Sequence, residues 1–95
     1  MIIRICTEDK NHIRVRELCT KRFDAFTILH GMGCWKGQLE PALTIEIAVL
    51  PGENLGEVDI QGEKSHAILL AQQIKDLNDQ EAVLIEYIES TNVLI

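Results

Sequence analysis

The chain has 95 residues and a net charge of −6, with 46% apolar and 25% charged residues. This is ordinary globular composition, enough for one domain (1–95) with a single core, and it argues against disorder. The acidic total disfavours non-specific binding to nucleic acid, and no apolar run is long enough to span a membrane.

In chain order, Ile2, Ile3 and Ile5 open a first strand, with Arg4 on the side opposite Ile3 and Ile5. Thr7 to Lys10 is turn-like, and Asn11 stands as an N-cap for a first helix. Val15, Leu18, Cys19 and Arg22 follow at helical spacing, which predicts a helix ending near Phe23 with Arg14, Arg16, Glu17 and Lys21 in water.

Residues 25–50 predict a hairpin turning at Lys36-Gly37. That turn pairs Trp35 with Gln38, Ile28 with Ile45 and Phe26 with Ile47, so the apolar positions share one side. Thr27 then faces Glu46, and Leu29 faces Thr44. Pro41 cannot donate to a ladder and is expected at an edge or bulge. A bulge near Gly31 to Gly33 is the alternative that inverts the facing of residues 30–40.

Residues 51–64 form an acidic, Gly-rich connection in which Val58 and Ile60 suggest a brief extended piece. Ser65 is the expected cap of a second helix, carried by Ala67, Leu70, Ala71, Ile74 and Leu77 and ended by Asn78-Asp79. Ala82 to Ile88 is the last strand, with Val83, Ile85 and Tyr87 facing the core. The tail, residues 90–95, ends on Val93-Leu94-Ile95 and is a candidate for strand addition to a neighbour's sheet.

The order βαββαβ predicts a ferredoxin-like α+β sandwich: a four-stranded antiparallel sheet in the order 4-1-3-2, with both helices on one face. Arg4 then lies between Glu46 and Glu86 on the open face, beside Ile2, Cys6, Leu29, Leu84 and Ile88. An open face this apolar predicts an oligomer, a symmetric dimer first. The N-terminal MIIRICTEDK lacks the apolar segment of a signal peptide. Cys6, Cys19 and Cys34 are odd in number with no tight pair. Together these predict reduced thiols in a cytoplasmic protein.

The segment His30-Gly31-Met32-Gly33-Cys34-Trp35-Lys36-Gly37 is the most informative. Gly31, Gly33 and Trp35 share a side, with Glu40 opposite Gly33, forming a trough for a flat ligand or a partner's side chain. It is neither a phosphate loop nor a dinucleotide fingerprint, since strands flank it on both sides. His30 and Cys34 lie about 13 Å apart in extended chain, too far for one metal ion, so no metal or cofactor is expected.

The stretch Phe26 to Ile47, with G-x-G-x-W-K-G, Glu40 and Thr44-Ile45-Glu46-Ile47, together with Asn78 to Glu86, resembles small bacterial and phage-borne proteins of unassigned activity. The element order is also similar to the PII and CutA group of ferredoxin-like trimers. The long nucleotide-sensing loop of PII proteins is missing, since only Gly37 to Pro41 stands in its place.

Three functions fit these residues. The first is a non-enzymatic oligomeric module using the open face and Trp35. The second is a small dimeric α+β barrel-type enzyme with His30, Glu40, Glu46 or Glu86 as acid or base. The third is a nucleic-acid binder through Arg14, Arg16, Lys21 and Arg22.

Overall fold

A period of two decides how the sheet is sided. Ile3, Ile5 and Thr7 are buried while Ile2, Arg4, Cys6 and Glu8 are only half-buried along the first strand, β1 (Ile2–Glu8). This is seen in a computed structural model that describes residues 1–49, 57–90 and 95, without the side chains of 57–59. The other elements are α1 (His12–Arg22), β2 (Thr27–Trp35), β3 (Gln38–Ala48), α2 (Glu57–Asn78) and β4 (Leu84–Ile88).

The strands form one antiparallel sheet in the order β2-β3-β1-β4, as the βαββαβ pattern predicts. The hairpin register also follows the prediction. Trp35 pairs with Gln38, Gly33 with Glu40, Leu29 with Thr44 and Thr27 with Glu46. Lys36 and Gly37 have φ of 50° and 79°, the positive values that a two-residue primed turn requires at both centres.

Pairing runs without interruption from Thr27 to Trp35, so the described hairpin has no bulge. Pro41 belongs to an inner strand, but at a position where that strand has an edge of its own. β1 stops at Glu8, opposite Ala42, so Pro41 lies one position past the β1–β3 ladder. Its carbonyl accepts the Asp9 N–H at 2.9 Å, and no ladder donor is lost by its missing N–H.

Both helices cover the face that carries Ile3, Ile5, Leu43, Ile45 and Ile47. They add Val15 and Cys19 from α1 and Ala67, Leu70 and Ile74 from α2. Each large aliphatic side chain buried this way contributes about 1.5–3 kcal/mol before entropy is counted. Phe23 closes α1, its N–H bonded to the Cys19 carbonyl at 2.9 Å.

Four sequence expectations are corrected. α2 begins at Glu57, not Ser65, so Val58 and Ile60 are helical rather than extended, and residues 51–56 of the 51–64 connection lie outside the described residues. β4 begins at Leu84, not Ala82. Tyr87 lies on the helix side but at the sheet edge, 44% exposed, with the Lys64 ammonium 4.8 Å from its ring instead of a packed core. Asn11 has φ 52° and makes no side-chain cap bond to α1. Its amide instead donates to Asn78 Oδ1 at 3.1 Å. The tail residues 91–94 lie outside the described residues.

The three thiols have distinct environments. Cys19 is fully buried, and burial pushes its pKa up to about 11. Cys6 is half-buried, and burial, then the Glu86 charge, raise it as well. Cys34 is exposed. Alkylation with iodoacetamide at pH 8 should therefore label Cys34 first, Cys6 slowly, and Cys19 only after denaturation, as read by mass spectrometry. Early labelling of Cys19 contradicts this placement.

Candidate functional site

Because β1 ends at Glu8 while the β2–β3 hairpin runs on, the sheet has a notch. The overhanging hairpin forms one wall and residues 79–84, which lead into β4, form the other. The opening measures about 800 Å³. Trp35, Gly33 and Glu40 from the hairpin line it, with Glu8 from β1 and Glu81 from the opposite wall.

Trp35 is 50% exposed, an unusual setting for the chain's one tryptophan. Gly33 lies beside it because a side chain there has little room: an added Cβ would come within 3.3 Å of the Ala42 Cβ. Trp35 and Glu40 are diagonal neighbours on one face of the hairpin, roughly 7–8 Å apart in such a ladder. Lys36 ties the walls together, its ammonium 3.0 Å from Glu81 Oε2 and 5.8 Å from the indole centroid.

The lining is acidic. Glu8, Glu40, Asp79 and Glu81 stand against Lys36 alone. Glu8 is neutralised by Lys10 at 2.8 Å. The Lys10 ammonium is held above its ordinary pKa first by that hydrogen bond, with Asp79 and Glu40 adding to the field. The Glu40 carboxylate makes no ion pair or side-chain hydrogen bond among the described residues, so it stays available to a cation.

A part-buried polar network reaches the notch through Thr7 and Gln80. Gln80 Oε1 accepts from the Thr7 hydroxyl and, at 3.1 Å, from the Asn78 amide. Asn78, 3% exposed, in turn accepts from Asn11. This network joins the end of β1, the start of α1 and the end of α2 to the wall at residues 79–84. Nothing in the local sequence signals it, since these residues all read as turn or cap formers.

The remaining sequence candidates fall into three places. His30 lies on the helix side of β2, away from Trp35, with Nδ1 3.0 Å from Asp9 Oδ2. Of the residues expected as acid or base, alternation puts His30 on the face opposite Glu40, Glu46 and Glu86. Arg4 does lie between Glu46 and Glu86 in register. It pairs with Glu46 at 3.6 Å, while Glu86 takes the Cys6 thiol at 3.8 Å, and the buried Arg4 Nε has no partner among the described residues. Leu29 on β2 and Leu84 on β4 are about half exposed on the open face, and Ile88 of β4 is half-buried on the same face. Gly31 meets no side chain or backbone atom within 4 Å of a Cβ built on it. The basic residues of α1 face outward around Arg14, which pairs with Glu17 at 3.4 Å.

No helix among the described residues is long and apolar enough to cross a membrane. No protein-family model matches the sequence, and no curated protein matches it. Among solved structures, the fold is similar to that of a phage SAM lyase in complex with S-methyl-5′-thioadenosine. The two are 20% identical, with a TM-score of 0.55, over 88% of this chain and 76% of that one. At this identity the likeness is one of fold, and it agrees with the ferredoxin-like sandwich described above.

Proposed function

We propose that the notch binds an adenosyl sulfonium, the class to which S-adenosylmethionine belongs, with Trp35 and Glu40 as its recognition pair. One observation carries this: a half-exposed indole and an unpaired carboxylate share a wall of an opening of about 800 Å³. That volume is within the usual range for small-molecule sites. The indole offers a flat surface for a purine, and the surplus of carboxylates suits a ligand whose sulfur carries a positive charge. The likeness in fold to a SAM lyase supports the choice of ligand.

Binding alone and turnover differ in what they ask of Glu40. A module that only holds the ligand gains from a carboxylate beside the cation at all times. A lyase cleaves a C–S bond and the bonding pair goes to sulfur, so the positive charge disappears as reaction proceeds. A carboxylate facing the sulfonium then favours the ground state, and catalysis needs further groups. The notch, with His30 turned away, favours the binding reading over the acid–base one.

The test is a titration of Trp35 fluorescence with S-adenosylmethionine and with neutral S-methyl-5′-thioadenosine. Both are expected to quench, the sulfonium binding at least fivefold more tightly. Chromatography of the same samples separates the two readings, because only a lyase accumulates S-methyl-5′-thioadenosine faster than a protein-free sample of the same sulfonium does. An unchanged emission up to millimolar concentrations of both ligands overturns the proposal.

A further inference from the structure

The β2 strand is an outer strand of the sheet, nine residues long, and its sequence TILHGMGCW has no charged residue and no proline. Natural sheets protect such edges with charges, prolines, bulges or short length, and β2 has none of these. The opposite edge, β4, has only five residues and includes Glu86.

The orientation of the free backbone groups follows from Pro41. Its carbonyl points toward Asp9, away from β2. Its partner Met32 is therefore in a non-hydrogen-bonded pair, with N–H and C=O directed outward. By alternation, Ile28, His30 and Cys34 also direct theirs outward. The edge thus offers donors and acceptors at every second position.

We infer that two copies of the chain pair through these edges, antiparallel about a two-fold axis at Gly31, to make one continuous eight-stranded sheet. This register engages all nine residues of β2. On the open side it sets Trp35 opposite Thr27, Leu29 opposite Gly33, and Gly31 opposite itself. On the helix side it sets Ile28 opposite Cys34 and His30 opposite Met32. Large side chains meet small ones throughout the open side, and no like charges oppose each other.

Gly31 is the observation that selects a second copy. Glycine weakens a strand, and here its own chain does not require it, since a Cβ at this position meets nothing within 4 Å. On the dyad the same residue faces its twin in a close, non-hydrogen-bonded pair, where an absent side chain is an advantage. Pairing consumes the long edge and leaves the short β4 strand at both ends, so the assembly closes at two chains. The partner's Thr27 then packs beside Trp35 at the margin of the notch.

The test uses the full chain in light scattering and backbone hydrogen exchange at micromolar to submillimolar concentration. The wild type is expected to have a two-chain mass, with slow exchange at the Ile28, His30, Met32 and Cys34 amides. Gly31→Val, which suits a strand and has room in the monomer, should weaken the dimer at least tenfold while leaving the thermal midpoint unchanged or higher at dilutions where both proteins are monomeric. Met32→Lys, on the exposed helix side of the edge, should do the same. Leu84→Glu, on the open face of β4, should leave the dimer intact. A monomeric wild type overturns the inference. So does a dimer that survives both β2 variants and is lost with Leu84→Glu, since that dimer uses the open face instead.

Discussion

Replacing Ile5 with alanine is expected to lower the stability of the fold by about 3 kcal/mol. Ile5 is fully buried in β1, an inner strand, with Ile45 on one side and Ile85 on the other. It belongs to the same buried core as Val15 of α1 and Leu70 and Ile74 of α2. Truncation removes three carbons from a close-packed site whose neighbours are held by two ladders, so the cavity collapses only partly. For a domain of this size each kcal/mol moves the thermal midpoint by roughly 4–8 °C, so a drop of roughly 12–24 °C is the expected reading in calorimetry. Leu39→Ala is the control. Leu39 is 75% exposed at the hairpin end, and its loss should move the midpoint by less than about 2 °C. A cost below about 1 kcal/mol at Ile5 contradicts the placement of the core.

Such a core was legible because strands announce their sidedness. Ile28, Ile45 and Ile47 line up once Lys36-Gly37 is taken as the turn, and the observed register differs from that reading nowhere between Thr27 and Trp35. The strand order followed from handedness, which is a property of chain geometry and not of particular side chains. α2 was harder. Its first turns contain Gly62, and Val58 and Ile60 are spaced by two, a strand-like interval inside a helix. Tyr87 kept the predicted side but not the predicted burial, because an edge position leaves half of a large ring uncovered.

The candidate site was legible only in part. Trp35, Gly33 and Glu40 were placed together by alternation alone, and the structure keeps them together. The other wall was not visible, since it depends on β1 stopping at Glu8 while the hairpin continues, a fact about relative strand lengths. Lys36 meets Glu81 across 45 positions of sequence, and Thr7 meets Gln80 across 73. No local pattern encodes those contacts. For His30 the facing was readable from its position next to Gly31, and its partner Asp9 was not.

Two substitutions in the notch should separate the roles of its recognition pair. Trp35→Ala removes the stacking surface, which for a base on an aromatic ring is worth about 1–3 kcal/mol. Affinity for S-adenosylmethionine and for S-methyl-5′-thioadenosine should fall together, by about 5- to 150-fold, because both carry the same purine. Trp35 is half exposed, so the fold should survive, and the thermal midpoint checks that. Glu40→Gln keeps the shape of the side chain and removes its charge. Weakening by about tenfold is expected for the sulfonium, ~1.4 kcal/mol, a modest share of what two charges gain at 4 Å near a protein surface. The neutral thioether should bind Glu40→Gln as it binds the wild type. The ratio of the two affinities is therefore the decisive quantity. Calorimetric titration that finds the ratio unchanged by Glu40→Gln removes the carboxylate from the sulfur, and one that finds Trp35→Ala without effect removes the purine from the indole.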